Sequence, residues 1–271
     1  MTTTGRAALV TGGGRGIGRA TAVRLAREGW RVGVLARTAA ELDATVAAAE
    51  DEGGSAAAFP ADVLDPTGLG AAVARFGEWA GGLDALVCCA GRWKAVGPFD
   101  RVDPDDWWLD FETAVRGFSN TVRATLPALR ASHSASVSVL VGPGHNGELP
   151  FASAYGAAQA GLVRLVESLA KELSAESVRV YAVNPGFVPT ALTRRLTDTP
   201  EGRRWLPQFN EALAEGKEVG PEVAAEILAW LAADRPAALS GRVAAALQTP
   251  AVLESRLERI RSENLGVLRL R

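Results

Sequence analysis

Tyr155 and Gln159 stand four residues apart in a run rich in alanine and glycine, so on a helix their side chains share one face. A phenol beside a neutral amide can give a proton to a reacting oxygen. It is a poor base, because with no positive charge nearby a phenol of pKa about 10 stays protonated near neutrality. Just upstream, Pro143-Gly144-His145-Asn146-Gly147 carries an imidazole and a second amide. Either His145 or Asn146 turns into the same pocket as a hydrogen-bond donor, or both are ordinary loop residues, Asn146-Gly147 being a common turn pair. No metal is expected. The only cysteines, Cys88 and Cys89, are adjacent, which suits neither an ordinary disulfide nor metal ligation, and they read as reduced strand residues.

A second segment could hold phosphate. Thr11-Gly12-Gly13-Gly14-Arg15-Gly16-Ile17-Gly18 follows the first apolar run and opens a helical one. Glycines there permit a tight turn and close backbone approach, while the helix N-terminus attracts a pyrophosphate. After the second apolar run the chain reads Leu35-Ala36-Arg37-Thr38, without the acid that would hold a ribose 2'-hydroxyl. Arg37 and Arg15 could instead pair with a 2'-phosphate, which favours NADP(H) over NAD(H); the alternative is that both are solvated surface charges.

The elements that must position these residues follow from patterning. Short β-branched runs alternate with long Ala/Leu/Arg segments, which predicts an α/β protein: a Rossmann-type, doubly wound parallel sheet of about seven strands with helices on both faces. Strands are expected near Ala7 to Val10, Arg31 to Ala36, Ala56 to Phe59, Ala85 to Cys88, Val137 to Val141, Val178 to Val183 and Arg242 to Ala246. The clearest helix start is Asp103-Pro104-Asp105-Asp106, an Asp cap with Pro and acids in the first turn; the helix should run to about Arg130, with a possible bend at Pro127. Residues 187–220, with Pro189, Pro200 and Pro207 and four arginines (Arg194, Arg195, Arg203, Arg204), break the rhythm as a substrate lid would. The arginines read as a solvated helix face. Trp107 and Trp108 read as packing residues, and Trp93, beside a glycine, as a wall of the substrate pocket.

With Gly12-x-x-x-Gly16-x-Gly18, Asp62-Val63, Cys88-Cys89-Ala90-Gly91, Tyr155 on a helix and Asn184-Pro185-Gly186 after a strand, the chain resembles the short-chain dehydrogenase/reductase family over nearly its whole length. The resemblance implies that Asp62 and Val63 border the adenine, that Ala90 and Gly91 lie along the cofactor, and that Pro185, Gly186, Val188 and Thr190 approach the nicotinamide. It also exposes a degenerate catalytic set. Members of this family use an Asn, a Ser, a Tyr and a Lys; here the corresponding positions are Ala114, Gly142, Tyr155 and Gln159, and two cysteines replace two asparagines before Ala90. Gln159 could still reach toward the ribose hydroxyls as a neutral amide. The implied activity is carbonyl reduction with Tyr155 as proton donor. Two alternatives stand beside it: a redox-neutral dehydration, isomerisation or cyclisation in the same pocket, or a non-catalytic cofactor-binding subunit. The Tyr155 helix and the one before it form the family's subunit interface, which implies a homodimer or homotetramer.

Composition narrows the partners. With 271 residues and no linker-like stretch, residues 1–271 read as one domain with a C-terminal extension over 247–271, where Leu253, Leu257 and Ile260 recur at helical spacing; that tail would cover a neighbouring element or subunit. Lys+Arg 29 against Asp+Glu 31 gives a net charge of -2, which offers no field for nucleic acid or an anionic membrane. The chain lacks an apolar run long enough to span a bilayer, and Met1-Thr2-Thr3-Thr4-Gly5 does not resemble a secretory leader. A cytoplasmic protein acting on a small molecule is expected.

Overall fold

A computed structural model describes residues 5–269; the ends of the 1–271 domain and of the 247–271 tail, with the Met1 to Thr4 lead-in, lie outside the described residues. Seven parallel strands form one sheet in the order β3-β2-β1-β4-β5-β6-β7. They are β1 (Ala7–Thr11), β2 (Arg31–Leu35), β3 (Ser55–Ala58), β4 (Ala85–Cys88), β5 (Ala135–Leu140), β6 (Val178–Asn184) and β7 (Val243–Ala245). β5 begins two residues before the expected start because Ala135 still pairs with Val178. β1, wholly buried, pairs on one side with β2 (Ala8 opposite Val32) and on the other with β4 (Ala8 opposite Ala85). Strand order reverses there. The crevice outside the carboxyl ends of β1 and β4 is where open α/β sheets bind their ligands.

Helices α1 (Gly16–Arg27), α2 (Ala39–Asp51) and α9 (Pro221–Asp234) cover one face; α3 (Pro66–Ala80), α4 (Pro104–Ala131) and α5 (Ser153–Glu172) cover the other. Each face has its own apolar core, as a sheet buried on both sides requires. α4 starts as the sequence predicts, with the Asp103 carboxylate accepting from the Asp105 and Asp106 amides at 2.9 and 3.0 Å and Pro104 in the first turn. It continues through Pro127 to Ala131.

Residues 187–220 are more ordered than their prolines suggest. They form α6 (Ala191–Asp198), α7 (Pro200–Trp205) and α8 (Pro207–Ala214), and Pro200 and Pro207 sit in the first turn of their helices, where a missing N–H costs nothing. Their four arginines are exposed. Within this chain the tail packs on neighbouring elements. α10 (Pro250–Ser262) buries Leu253 and Ile260; beyond it the Gly266 carbonyl accepts from the Val243 amide at 2.7 Å and the Leu268 amide donates to Glu167 on α5 at 2.6 Å. Trp107 is half-buried and donates to Ser153 Oγ at 2.9 Å, but Trp108 is 58% exposed and is not the packing residue expected.

The cap on α4 should be worth about 1 kcal/mol. Asp103→Ala is expected to lower the midpoint of urea unfolding by a corresponding amount, while Asp103→Asn, which keeps an acceptor at the cap, should lower it far less.

Candidate active site

Every residue assigned to the cofactor in the sequence lines one cavity of about 1130 Å³ at the carboxyl edge of the sheet, together with Tyr155, Gln159 and His145. The glycine loop fits a dinucleotide because side chains have no room there. A Cβ on Gly18 would lie 2.3 Å from the Gly12 carbonyl oxygen, and one on Gly12, whose φ is +64°, would lie 2.7 Å from the Ala90 amide nitrogen. β1, the loop and the end of β4 are thus in backbone contact. The first turn of α1 points its unpaired amides at the space above, a ready site for a pyrophosphate.

At the adenosine end both arginines have acidic company, which reading residues 35–38 alone did not reveal. Arg37 lies 3.9 Å from Asp62 and is 76% exposed; Arg15 lies 3.5 Å from Glu41. Thr38-x-x-Glu41 has the pattern of a helix capping box, and that pattern could have drawn attention to Glu41. The box does not form: Thr38 makes no side-chain cap, and the Glu41 carboxylate turns to the arginine instead.

Two of the three positions that the family resemblance reads as replaced, Gly142 and Gln159, meet through the Gly142 backbone, which His145 also joins. The Gly142 amide donates to Gln159 Oε1 at 2.8 Å, and the Gly142 carbonyl lies 2.8 Å from His145 Nδ1. Because a carbonyl only accepts, Nδ1 carries the proton, and a neutral His145 then presents a lone pair, not a donor, at Nε2. Gln159 spends its oxygen on Gly142, and its Nε2 donates to no acceptor among the described residues. Asn146 is exposed on the rim. Ala114 is buried against the cavity without a polar group to offer.

Tyr155, in the first turn of α5, leans over this peptide. A Cβ added to Gly142 would stand 2.3 Å from the Tyr155 hydroxyl and 3.1 Å from Cε1, so the phenol fills the volume a side chain there would need. Burial pushes the phenol well above its ordinary pKa, and the carboxylate of Asp110 adds to the shift. The proton is therefore firmly held. The cysteines are inert for the same reason: burial pushes the Cys88 thiol up to about 12, partly offset by a hydrogen bond with Thr11, and raises Cys89 as well. No metal-binding group of His, Cys and acids exists among the described residues, and none of their helices is long and apolar enough to cross a membrane.

The substrate end is aromatic. Trp93 stacks flat on Tyr155, with ring centroids 3.8 Å apart and planes 7° from parallel, and Phe209 of α8 meets Trp93 edge-on at 5.5 Å. Phe187, Leu192, Leu196 and Leu206 complete the cluster. Trp93 is fixed through its neighbours. Asp110, fully buried on α4, accepts from the Lys94 and Ala95 amides at 2.7 Å each and pairs with Arg92, while Asp106 pairs with Arg92 and with Lys94 at 2.7 Å. The amino group of Lys94, followed by Arg92, draws the Asp106 carboxyl below the usual carboxylate range. Asp110 was absent from the candidates read in the sequence, although Asp103, Asp106 and Asp110 recur at helical spacing and Arg92 and Lys94 flank Trp93. The chain enters α5 through Phe151, held at φ 65°, a conformation bulky residues rarely adopt; its carbonyl accepts from the Gly97 amide at 2.8 Å and its ring lies 4.7 Å from Trp205 of α7.

A glycine-bridged crevice at the switch point, bordered by the Tyr155 helix and residues 187–220, marks a Rossmann-type α/β protein. The family model for short chain dehydrogenase matches residues 6–201. The chain is 32% identical over 247 residues to the rhamnolipids-biosynthesis 3-oxoacyl-acyl-carrier-protein reductase of Pseudomonas aeruginosa, covering 88% of this chain and 93% of that one. Among solved structures it resembles actinorhodin polyketide ketoreductase with NADPH (TM-score 0.81, 27% identity, 90% of this chain and 97% of that one). It matches equally well a short chain dehydrogenase from Mycobacterium paratuberculosis bound to NAD (TM-score 0.81, 26% identity, 90% and 97%). The protein belongs to the short-chain dehydrogenase/reductase family of oxidoreductases.

The overlap at Gly142 makes a counterintuitive mutant informative. Gly142→Ser places a serine where the family resemblance implies one, yet its Cβ would collide with the phenol. Overpacking of this kind costs about 1 to 3 kcal/mol. The expected outcome is a less stable protein with Tyr155 displaced, seen as a lower melting temperature and a loss of any Tyr155-dependent turnover. A gain in turnover would mean that the phenol moves aside freely.

Proposed function

We propose that the protein reduces the carbonyl group of a small, largely apolar molecule, with NADP(H) as cofactor and Tyr155 as proton donor. The observation that carries this reading is the position of the Tyr155 hydroxyl, above Gly142 at the end of β5, in the same cavity as the dinucleotide cradle and an aromatic substrate wall. When bound, a nicotinamide supplies the hydride. Tyr155 then has one task, to hold a proton until negative charge develops on the substrate oxygen and to transfer it there. Gln159 keeps Gly142 in place and offers its Nε2 toward a ribose hydroxyl. Pro185 to Thr190 and the lid exclude water. Members that bind NADPH and NAD both resemble this chain, so the cofactor preference rests on Arg37 and Arg15. Their ion pairs with Asp62 and Glu41 are exposed and weak, and a phosphate dianion would out-compete them.

The absence of a lysine beside Tyr155 supports a second reading, a cofactor-binding subunit without turnover. Transfer of deuterium from labelled NADPH to a ketone separates the two. Apolar surface at Trp108 and Leu109 on α4 supports pairing of copies through that helix, and the two free cysteines suit a reducing, cytoplasmic setting.

NADPH should bind more tightly than NADH by roughly tenfold or more, the value of one charge-assisted hydrogen bond. Arg37→Ala should remove most of that gap by weakening NADPH and leaving NADH unchanged in calorimetric titrations. Equal affinities in the parent protein would refute the assignment.

Direction of catalysis should follow the phenol. Its pKa is raised, so the neutral donor persists as pH rises past the ordinary tyrosine value of about 10. The rate of ketone reduction should therefore show no alkaline loss attributable to Tyr155 across pH 6 to about 10, whereas alcohol oxidation, which needs the phenolate, should be slow throughout and climb with pH. Tyr155→Phe should depress both by about a hundredfold or more. Retained turnover in that variant would remove the phenol from the mechanism.

A further inference from the structure

Four buried side-chain N–H groups have no acceptor among the described residues: Trp30 Nε1, Trp93 Nε1, Asn210 Nδ2 and Arg235 Nε. Of these only Trp93 lines the cavity, and only Trp93 touches the phenol. A buried indole N–H without a partner is costly to maintain, and such groups are usually satisfied. The indole lies flat on the Tyr155 ring, with centroids 3.8 Å apart, so the unpartnered N–H and the phenol belong to one stacked pair. Trp93 is also held with unusual care. Its neighbours Arg92, Lys94 and Ala95 are all tied to Asp110.

We propose that Trp93 is the substrate-fixing residue: its indole N–H donates to the oxygen of the bound ketone beside the Tyr155 hydroxyl, supplying the second donor that Gly142 cannot, and its ring selects planar aromatic ketones. This rests on the reductase reading and names its substrate class. The ring assignment follows from the walls. Phe209 stands edge-on to Trp93, and Phe187 lies 5.7 Å from Phe209, so a flat ring system finds aromatic surfaces to stack on and to meet edge-on, whereas a flexible alkyl chain must be ordered for less contact. Asp110 is then a positioning residue acting through Arg92 to Ala95.

The test uses 2-acetonaphthone, its oxygen-free counterpart 2-ethylnaphthalene, and 2-dodecanone, which matches the first in carbon number. Binding to the NADP(H)-saturated protein and turnover of the two ketones are measured for the parent, Trp93→Phe and Trp93→Leu, with NADPH affinity as the control for correct folding. The parent should bind and reduce the naphthyl ketone at least tenfold better than the alkyl one. Trp93→Phe keeps a ring but no N–H. It should lose about a hundredfold in turnover of 2-acetonaphthone, as deletion of an oxyanion donor does elsewhere, and should bind the ketone and 2-ethylnaphthalene with more nearly equal affinity than the parent does. Trp93→Leu should also lose the preference for the naphthyl ketone. Parent-like turnover and ketone discrimination in Trp93→Phe would overturn the donor role, and a retained naphthyl preference in Trp93→Leu would overturn the selective role. If the parent reduces neither ketone, the reductase reading fails by itself. The binding comparisons still decide the role of Trp93: weakened naphthyl binding in Trp93→Leu and lost discrimination in Trp93→Phe uphold it, unchanged binding overturns it.

Discussion

The amide of Gly142 lies buried at the end of β5, past the last rung of the sheet, and must find an acceptor. Gln159 provides it. A lysine at that position has donors only and would leave the amide unpaired at a cost of about 1 to 3 kcal/mol. Once Gln159 is committed to the backbone, no cation stands beside Tyr155. His145 takes the carbonyl of the same residue through its Nδ1 proton, and the phenol descends into the space that a side chain at Gly142 would fill. Gly142 and Gln159 are therefore coupled: each suits the other, and the Tyr155 hydroxyl occupies the ground a side chain at position 142 would need.

That arrangement has an electrostatic consequence. A cation beside the phenol would stabilise the phenolate; burial and the carboxylate of Asp110 do the reverse. The phenol therefore keeps its proton. Asp110 serves two ends, since the same carboxylate that disfavours the phenolate also fixes the loop bearing Trp93. A buried carboxylate is tolerable only where hydrogen bonds satisfy it, and here two amides and a guanidinium do so.

The fold was legible in the sequence because its signals are local. Strand runs, the Asp103 cap and the glycine spacing each depend on a few adjacent residues, and the structure sets the strands within about two residues of their expected places. The glycine loop was legible for the same reason, since backbone crowding at Gly12 and Gly18 leaves no room for a side chain. What the sequence concealed was contact between distant segments. Trp93 was read as a pocket wall, but nothing in its neighbourhood says that it lies flat on Tyr155, sixty-two positions later. The Asp110 clamp joins α4 to the loop after β4, and Glu41 turns from its own helix cap to Arg15. Trp108 misled in the opposite sense: at the start of a helix it reads as packing, yet it meets only the edges of Trp107 and Phe111 among the described aromatic rings and stays largely exposed.

His145 lies against the Gly142 carbonyl, which only accepts, and that contact bears on the part its ring can play. The sequence put an imidazole next to the vacant serine position and suggested a substitute donor. Its one neutral-state proton, however, is already given to the Gly142 carbonyl, so what it turns toward any ligand is a lone pair. A group that accepts cannot stabilise the oxygen of a carbonyl under reduction, but it can receive a hydrogen bond from a substrate hydroxyl or order a water that restores the proton to Tyr155 after each turnover. The second donor must then come from elsewhere in the cavity. Among its side chains the unpartnered indole of Trp93 has a free N–H and a fixed place against the phenol, and it is held there by the carboxylate that also keeps the phenol neutral.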